Sequence, residues 1–541
     1  MSAREIVVTL DCGGSGAKAH AFDAAGGGHL ASTASAYPAP SGDPGLFDPE
    51  EWWAAAALSL RLLVEDLGEP AGSFAGVTVS AVRIPTVLLD RQGEPTGPST
   101  LNTDRRGERA LDEVVAAIGA EELYTLTGHW PAPELGLGKL LWTRSQLPEL
   151  WRRTATVLQL HDWFAYRLCG VVASEPSSAA MSQLLAVEGT RWAAEVLGAA
   201  RVKASLLPEI VPAGTRLGGL AGDIASATGL PAGLPVHAGG GDTHISALSA
   251  AGASRCPVVV AGTTTPAQVA VAELPPSSQR FPLFTSAHVL AGHYALESNA
   301  GVTAGVLARL QGLDELSGGQ LASALVGRGF ELKPALGQLD VLSGNPFFSP
   351  EQWSGWPPPT VVGLRPSHSG ADVRQAGLLG VAYALRGVVE TLDRCCGTSS
   401  LPLVLTGGMS TNHGWDQVVA EVCRREVLVR PLEAVAGLAG AVLISGRAPG
   451  DVATSVPERR FFPSGASDFE EGYRTYLDRY RAASARQFAT GIKGGPATGP
   501  GPTPKGATPR EARPRGPTPQ GIGRAGVQRP VSEAAGARSG K

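Results

Sequence analysis

Short apolar runs and helical patterns alternate along most of this chain. Residues 5–11 (EIVVTLD) and 74–82 (FAGVTVSAV) are apolar runs of strand length, and residues 17–23 (AKAHAFD) alternate on a period of two. Residues 48–68 begin with Asp, continue through helix-forming residues and end in Gly, which predicts a helix. This alternation of strand and helix patterns predicts an α/β architecture.

A strand, a loop of small residues and an alternating strand occur in this order twice. The first copy has the loop CGGSG at residues 12–16, and the second lies within residues 257–273 (PVVVAGTTTPAQVAVAE). The repeat predicts a duplicated core of two α/β domains, each beginning with such a hairpin. We place the domains at residues 1–250 and 251–487, with a tail at residues 488–541.

The second half continues with further strand and helix patterns. Strands are predicted at 402–408 and 426–431, helices at about 414–424, 433–446 and 467–486, and an irregular segment at 344–370.

The composition limits the possible partners and the compartment. The chain has 541 residues, 43% of them hydrophobic and 17% charged, and a formal net charge of -4, which predicts neither a nucleic-acid nor a membrane-surface partner. Its start lacks an apolar region of signal-peptide length, and the apolar segment 434–446 is too short to span a bilayer. Its six cysteines form no CxxC pair and no zinc-like spacing with His. We therefore expect reduced thiols in a cytoplasmic protein.

Two loops could present backbone N–H groups and hydroxyls to phosphate oxygens. The first, in DCGGSGAK, has Asp11 at its mouth and Lys18 beyond it, and the second is GTTT at residues 262–265. Asp11 could hold Mg²⁺ directly or through water, because Mg²⁺ prefers oxygen ligands and keeps several waters. The alternative is that each loop is an ordinary hairpin turn.

A third glycine-containing segment follows a predicted strand. In LTGGMSTNHGWDQVVAEV, the strand ends at Gly407 and Gly408 and a helix begins near Gly414. Nucleotides bind in α/β sheets at the carboxyl ends of strands. The alternative is a tight connection between the strand and the helix.

The segment HAGGGDTHISALSAAGA (237–253) places Asp242 directly after three glycines. One interpretation is that the glycines turn the chain and that Asp242 caps the following helix. The other is that the bare backbone and the single carboxylate serve a chemical role, and the two interpretations are compatible.

The order and spacing of these segments resemble the FGGY carbohydrate kinases of the actin-like ATPase superfamily. The resemblance covers about residues 5–480. It is carried by the first phosphate motif, a G-G-G-D-T motif, a second phosphate motif and an adenosine motif. Between these lie PEEWWAAA, LLDRQGEP, TDRRGE, LYTLTGHWPAPELGLGKLLW and HDWFAYRLCG.

The resemblance implies two actin-like ATPase (ribonuclease H-like) domains of α/β type with a catalytic cleft between them. It also implies an ATP- and Mg²⁺-dependent sugar kinase in which Asp242 is the catalytic base. The family often forms dimers, so a homodimer is a candidate assembly. The implied nucleotide-binding residues are Gly13, Gly14, Ser15, Lys18, Gly262, Thr263, Thr264, Gly407, Gly408 and Asn412, with Asp11 at the metal. The candidate substrate contacts are Arg83, Asp104 and Asp242, followed by His129 and Trp130.

Several residues depart from the family pattern. Gly14 stands where a Thr is usual, and Met409 replaces a glycine of the adenosine motif. Arg83 followed by Ile84 fits neither the Arg-Glu of a glycerol kinase nor the Met-His of a xylulokinase. We expect a ketopentose or related polyol as the substrate. The alternatives are a signalling sugar such as autoinducer-2, or a sugar- or nucleotide-binding regulator without catalysis. We assign Lys139 a structural role, and His161 and His244 no metal role.

The composition of the tail leads to a first prediction. Residues 494–541 are rich in Pro, Gly, Ala and Arg and contain few large apolar residues, so they cannot bury enough surface to fold. We expect that removing the residues beyond about 490 leaves the thermal midpoint and the sugar-stimulated ATP turnover nearly unchanged. A large loss of either property would contradict this expectation.

Overall fold

The computed structural model describes residues 5–25, 28–40, 42–262, 264–335, 338–342, 359–411, 413–430, 438–446, 458–465 and 468–491. Its strands are β1 (Ile6–Cys12), β2 (Gly16–Asp23), β3 (His29–Ala36), β4 (Leu46–Phe47), β5 (Phe74–Ala81), β6 (Thr86–Leu89), β7 (Ser99–Thr100), β8 (Thr156–Gln159), β9 (Ala173–Ser174), β10 (Glu209–Ile210), β11 (Arg216–Gly219), β12 (Pro235–Gly241), β13 (Val258–Val260), β14 (Thr264–Val271), β15 (Phe284–Ala287), β16 (Tyr294–Val302), β17 (Glu331–Lys333), β18 (Asp340–Leu342), β19 (Thr360–Val362), β20 (Leu403–Thr406), β21 (Val427–Val429) and β22 (Arg459–Phe461).

The α-helices are α1 (Pro49–Leu67), α2 (Glu108–Ile118), α3 (Ala120–Thr127), α4 (Gly136–Gln146), α5 (Pro148–Arg153), α6 (Leu160–Cys169), α7 (Pro176–Ala179), α8 (Ala194–Ala200), α9 (Gly222–Thr228), α10 (Asp242–Ala251), α11 (Ser277–Arg280), α12 (Ala304–Arg309), α13 (Gly318–Gly327), α14 (Gly370–Cys396), α15 (His413–Cys423), α16 (Leu438–Ser445) and α17 (Asp468–Gly491). Short 3-10 helices lie at Ala71–Ser73, Ala180–Ser182, Ala204–Leu206 and Gly408–Thr411.

Helix α1 illustrates how local sequence sets an element. Asp48 precedes the helix in an extended conformation, and its carboxylate accepts a hydrogen bond from the Glu50 N–H. Pro49 occupies the first helical position, and Gly68 ends the helix with a left-handed φ of 60°. The helix predicted at 48–68 is therefore confirmed together with both of its end signals.

The N-terminal lobe is built on a six-stranded sheet in the order β11-β12-β5-β1-β2-β3. Strand β1 pairs antiparallel with β2 and parallel with β5, and β5 pairs parallel with β12. Alternate β1 side chains, among them Ile6, Val8 and Leu10, enter a core closed by α1 and α6. Parallel strands buried on both faces read as continuous apolar runs, as residues 5–11 do.

The C-terminal lobe repeats this arrangement in a seven-stranded sheet. Its strand order is β15-β16-β14-β13-β20-β21-β22. Strand β13 pairs antiparallel with β14 and parallel with β20, and β20 pairs parallel with β21. Each lobe thus begins with a hairpin whose first strand is followed in the sheet by two parallel strands, which confirms the duplicated α/β core.

Two central helices lie across the junction of the lobes. Helix α10 follows β12 of the first sheet and contacts β13 and β20 of the second, whereas α16 contacts β1 and β5 of the first sheet. One apolar cluster therefore draws on both lobes. It comprises Val7, Phe22, Ala247, Ala250, Val258, Val404 and Val442.

Part of the segment predicted to be irregular at 344–370 is ordered as a strand. Residues 360–362 form β19, which pairs with β17 and β18, because the run Thr-Val-Val is buried and suited to a sheet. Residues 343–358 lie outside the described residues, as do residues 433–437 of the helix predicted at 433–446 and residues 492–541 of the tail. Within the described part of the chain, no helix has the length and hydropathy needed to cross a membrane.

The close approach of α16 to the first sheet makes a prediction at Gly440. A Cβ at this position would lie 2.1 Å from Thr9 Oγ1 and 2.6 Å from Thr78 Cγ2. We expect Gly440→Ala to lower the free energy of unfolding by about 1–3 kcal/mol, because overpacking forces neighbouring groups apart. The midpoint of urea unfolding measures this change.

Gly198→Ala is the matched control, since this glycine also lies within a helix but a Cβ there would meet no atom of the described residues within 4 Å. We expect that substitution to be neutral or to stabilise by about 0.5–1 kcal/mol. Equal effects of the two substitutions would contradict the packing argument.

Candidate active site

The carboxyl ends of three adjacent parallel strands bring the main candidate residues together. Asp11 lies in β1, Arg83 follows β5, and Asp242 follows β12. Ser80 of β5 donates a hydrogen bond of 2.9 Å from its hydroxyl to Asp11 Oδ1. Lys18 lies directly opposite Asp11 in the β1–β2 pair. Residues from distant parts of the sequence therefore converge at one edge of the first sheet.

The three glycines before Asp242 are required by close packing. They lie in extended strand β12. A Cβ at Gly239 would lie 1.7 Å from the Val79 carbonyl oxygen, and one at Gly241 would lie 2.6 Å from two carbons of the Arg83 side chain. The interpretation in which the glycines turn the chain is therefore wrong, because they let β12 lie flat against β5 and Arg83.

Asp242 is the first residue of α10, and Gly241 occupies the cap position. Its Oδ1 accepts hydrogen bonds from the backbone N–H of Thr243 at 2.7 Å and from the Thr243 hydroxyl at 3.2 Å. The interpretation of Asp242 as the helix cap is therefore wrong as well. The side chain of Asp242 is 34% exposed, so its carboxylate remains accessible to solvent.

The electrostatics of this edge raise the pKa of both carboxylates. Loss of hydration raises the pKa of Asp242, and the nearby Arg83 guanidinium partly opposes this shift. Burial, together with the charge of Asp242, raises the pKa of Asp11 to about 6. A cation beside Asp11 would stabilise its charged form against burial and against the charge of Asp242.

Arg83 is held by a carboxylate from the other lobe. Its two terminal nitrogens each donate a 2.9 Å hydrogen bond to one oxygen of Glu297 in β16. One of them also donates to the Thr243 hydroxyl at 3.1 Å, and Nε lies 3.9 Å from Asp242 Oδ1. Arg83 thus connects β16 with the first turn of α10.

A second buried carboxyl supports the same turn. Ser177 donates a hydrogen bond of 2.5 Å to Glu175 Oε2 and accepts one of 3.0 Å from the Gly241 N–H. Burial raises the pKa of Glu175 to about 7. Strand β12 is anchored further along at Gly239, whose N–H donates to His161 Nε2 at 3.0 Å.

The first candidate nucleotide loop is open to ligand. Gly13, Gly14 and Ser15 connect β1 with β2, and Gly14, Ser15 and Lys18 are exposed. A Cβ at Gly14 would have room, because no atom of the described residues would lie within 4 Å of it. Packing therefore does not explain this glycine, and the open space leaves room for a ligand to approach the backbone.

The second candidate loop lies beside the adenosine segment. Gly262 and Thr264 flank the turn between β13 and β14, and the Met409 N–H donates to the Ala261 carbonyl at 3.1 Å. Gly407 has a φ of 102° and approaches Ala261 so closely that a Cβ would lie 2.4 Å from its oxygen. Thr263 and Asn412 lie outside the described residues.

Comparison with known proteins decides the family. The model of the N-terminal domain of the FGGY family of carbohydrate kinases matches residues 6–249, and the model of its C-terminal domain matches residues 258–448. The chain belongs to the FGGY family of carbohydrate kinases.

Individual relatives cover this FGGY chain to different extents. A Bacillus subtilis protein named as a sugar kinase, YoaC, is 31% identical over 280 residues, which are 50% of this chain and 53% of YoaC. The xylulose kinase of Streptomyces coelicolor is 27% identical over 85% of this chain and 92% of its own length. The autoinducer-2 kinase of Salmonella typhimurium is 28% identical over 47% of this chain and 48% of its own. The chain thus aligns with about half the length of the first and third relatives.

The solved structure of xylulose kinase from Rhodospirillum rubrum has the same fold. It superposes with a TM-score of 0.73 at 24% identity and covers 90% of this chain and 99% of that one. The two-domain actin-like architecture predicted from the motifs is therefore confirmed.

The remaining candidates of the FGGY chain have other partners. Asp104 accepts two hydrogen bonds, at 2.8 and 2.7 Å, from the guanidinium of Arg106 and a third, at 2.9 Å, from its backbone N–H. His129 is buried with Nδ1 2.8 Å from the Thr127 carbonyl, and Trp130 donates from its indole to the Phe281 carbonyl at 2.8 Å. The hydrogen-bond partners of these three side chains therefore do not include Asp242.

Lys139, His161 and His244 make contacts that suit structural roles. Lys139 is buried and donates to the carbonyls of Leu101 and Asn102 at 2.6 and 3.2 Å. His161 accepts from Gly239 on Nε2, so its proton lies on Nδ1, 2.9 Å from Asp162. His244 Nε2 lies 2.9 Å from the Ser286 hydroxyl. The described residues contain no group of three metal-binding side chains.

The raised pKa of Glu175 predicts a pH-dependent stability. Its pKa rises from 4.5 to about 7, so between these values the folded chain keeps a proton that the unfolded chain has lost. Stability due to this group therefore falls as pH rises through the interval, by about 3 kcal/mol in total. Glu175→Gln removes the ionisation, so the stability of the variant relative to the parent should increase by that amount between pH 4.5 and 7.

Urea unfolding at a series of pH values measures this difference. Glu273→Gln, at an exposed carboxylate, is the control, and its difference from the parent should stay constant over the same range. A difference for Glu175→Gln that does not change with pH would rule out a buried, ionising carboxyl.

Proposed function

We propose that this chain transfers the γ-phosphoryl group of ATP to a hydroxyl of a small sugar, with Asp242 as the general base. The observation that carries the proposal is the placement of Asp242, which is fixed by Thr243, faced by Arg83 and Asp11, and still accessible. The hydroxyl proton passes to the Asp242 carboxylate, the sugar oxygen bonds to the γ-phosphorus, and the bond from that phosphorus to the bridging oxygen breaks, releasing ADP.

Backbone groups of the glycine-containing loops would hold the phosphates in this proposal. Gly13, Gly14, Ser15 and Lys18 would act from the N-terminal lobe. From the C-terminal lobe, Gly262, Thr263 and Thr264 would act on the phosphates. The adenosine part of the nucleotide would be held by Gly407, Gly408 and Asn412. The open space around Gly14 and Gly408, in contrast to the tight packing of Gly239–Gly241, supports this division of roles.

We expect ATP to bind together with Mg²⁺, and we propose that Asp11 holds the ion. The fit is good because Mg²⁺ is bound in phosphate sites by one or two carboxylates with several waters. Burial, and after it the charge of Asp242, raises the pKa of Asp11 to about 6, so a cation there would favour the charged carboxylate. When bound, the ion would supply positive charge to the phosphate oxygens.

We propose a ketopentose or related polyol as the acceptor. The support is the alignment with the Streptomyces coelicolor xylulose kinase over 92% of that protein. A signalling sugar such as autoinducer-2 is the second candidate, supported by the alignment with half of an autoinducer-2 kinase. A cytoplasmic location and a homodimer stay predictions.

A coupled assay of ADP release across ketoses, polyols, aldoses and autoinducer-2 tests the activity and separates the two acceptors. We expect turnover to depend on one acceptor class and on Mg²⁺. Binding of a sugar or of ATP without turnover on any acceptor would instead indicate a regulator that does not catalyse.

Asp242→Asn separates chemistry from binding. The amide has nearly the same shape as the carboxylate and can still accept from Thr243, so the variant should fold, but it cannot take the hydroxyl proton. We expect kcat on the best acceptor to fall about 10²- to 10⁴-fold, with ATP affinity little changed.

Asp223→Asn is the control, because Asp223 is an exposed acidic residue in the first turn of α9 in the same lobe. It should leave kcat unaltered. A kcat for Asp242→Asn close to that of the parent would exclude Asp242 as the base.

A further inference from the structure

The first turn of α10 is bound from the other lobe at consecutive residues. The Gln268 side chain of β14 donates to the Thr243 carbonyl at 2.9 Å, and Ser286 of β15 lies 2.9 Å from His244 Nε2. Glu297 of β16 holds Arg83, which donates to the Thr243 hydroxyl. We call these six residues the cross-lobe seam: Arg83, Thr243, His244, Gln268, Ser286 and Glu297.

Glu297 makes the charged contact of the seam. Only 4% of its side chain is exposed, and each of its oxygens accepts a 2.9 Å hydrogen bond from a different Arg83 nitrogen. This two-bond geometry fixes the plane of the guanidinium as well as its position. A buried carboxylate is costly unless it is paired, so Glu297 and Arg83 depend on each other.

The position of Arg83 matters because a second carboxylate competes for it. Asp242 Oδ1 lies 3.9 Å from Arg83 Nε, beyond hydrogen-bond length, while Glu297 takes the two terminal nitrogens. His129 and His244 also face Arg83, but burial lowers the pKa of both, which keeps them neutral. Glu297 and Asp242 are thus the anions that face this guanidinium in the described chain, together with Asp11, which faces Asp242.

We infer that Glu297 is a positioning residue: it holds Arg83 away from Asp242 and, through Thr243, fixes the orientation of the Asp242 carboxylate. The inference rests on the proposed function, in which that carboxylate receives the hydroxyl proton. Without the Glu297 charge, Arg83 turns to its remaining anion and pairs directly with Asp242. A carboxylate committed to a guanidinium is a poorer proton acceptor and is aimed away from the sugar.

Glu297→Gln tests the inference because it keeps the shape and removes the charge. We expect kcat to fall roughly 10- to 100-fold, which lies within the range of couplings measured between residues in direct contact. The KM for ATP should stay within about threefold of the parent, because the candidate phosphate loops lie outside the seam. A residue that serves only the fold would instead change stability without this split between kcat and KM.

The matched control is Asp393→Asn. Asp393 pairs with Arg425 at 3.1 Å within the C-terminal lobe, and the pair is also mostly buried. This variant should lose stability comparable to that lost by Glu297→Gln while its kcat stays at the parent value.

The variant Arg83→Met/Glu297→Gln removes both charges and keeps the test available if Glu297→Gln alone does not fold. If Glu297 acts through Arg83, the double variant should have the same kcat as Arg83→Met alone, within about twofold. If the kcat of the double variant is instead lower than that of Arg83→Met by the full factor expected for Glu297→Gln, the two substitutions act independently and the inference is overturned.

Hydrogen exchange provides a readout that does not require turnover. In Glu297→Gln, amides of residues 239–248 should exchange faster than in the parent, and in Asp393→Asn they should not. Unchanged exchange there overturns the inference, as does a kcat within threefold of the parent. Should no acceptor support turnover in the parent, the proposed function fails and the inference with it, and the exchange result then decides only whether Glu297 orders the first turn of α10.

Discussion

A guanidinium with 10% of its side chain exposed is stable only where anions surround it, and Arg83 meets this requirement at the junction of the two lobes. Its long apolar stem passes beside Gly241, where a Cβ would lie 2.6 Å from two of its carbons. Its head reaches Glu297 of the other lobe and the first turn of α10. One buried positive charge therefore accounts for three features of the site: Gly241 makes room for the stem of Arg83, Glu297 balances its charge, and its contact with Thr243 helps to place Asp242.

The surrounding charges explain how an anionic substrate could approach an acidic edge. Asp11, Asp242 and Glu297 are three carboxylates near one guanidinium, that of Arg83, and the pKa of Asp11 is raised by burial and further by the charge of Asp242. Lys18, opposite Asp11, is an exposed cation at the same end of β1. A nucleotide that arrives with a divalent ion brings the positive charge that this edge lacks.

The fold followed from the sequence because strand and helix periodicities are local. The hairpins, the end signals of α1 and the repeat of strand patterns are all encoded within a few residues of one another. Asp11 and Asp242 were proposed as site residues because glycine-rich segments adjoin them, and Arg83 and Asp104 because of their places in family segments. The structure brings Asp11, Arg83 and Asp242 together, whereas the carboxylate of Asp104 is paired with Arg106, and the roles of all four stay predictions.

The residues that support Asp242 were missed because their partners are distant along the chain. Glu297 lies 214 residues from Arg83, and periodicity contains no information about such a pair. A signal was nevertheless present: Glu297 is the charged residue in the otherwise uncharged strand YALESNAGV, and a charge in a buried strand requires a partner. The glycines before Asp242 were noticed, but one interpretation assigned them to a turn. Glycine is required there because a side chain would collide with Val79 in the neighbouring strand β5 and with Arg83 just after that strand.

The crossing of α10 and α16 also bears on how the chain matures on the ribosome. The face of the first sheet that carries Val7 and Phe22 is covered in part by α16, which is synthesised roughly 190 residues after α10. At elongation rates of roughly 5–20 residues per second, this face waits about 10–40 s for its cover. The N-terminal half therefore emerges with part of an apolar surface that stays exposed to solvent until α16 has been synthesised.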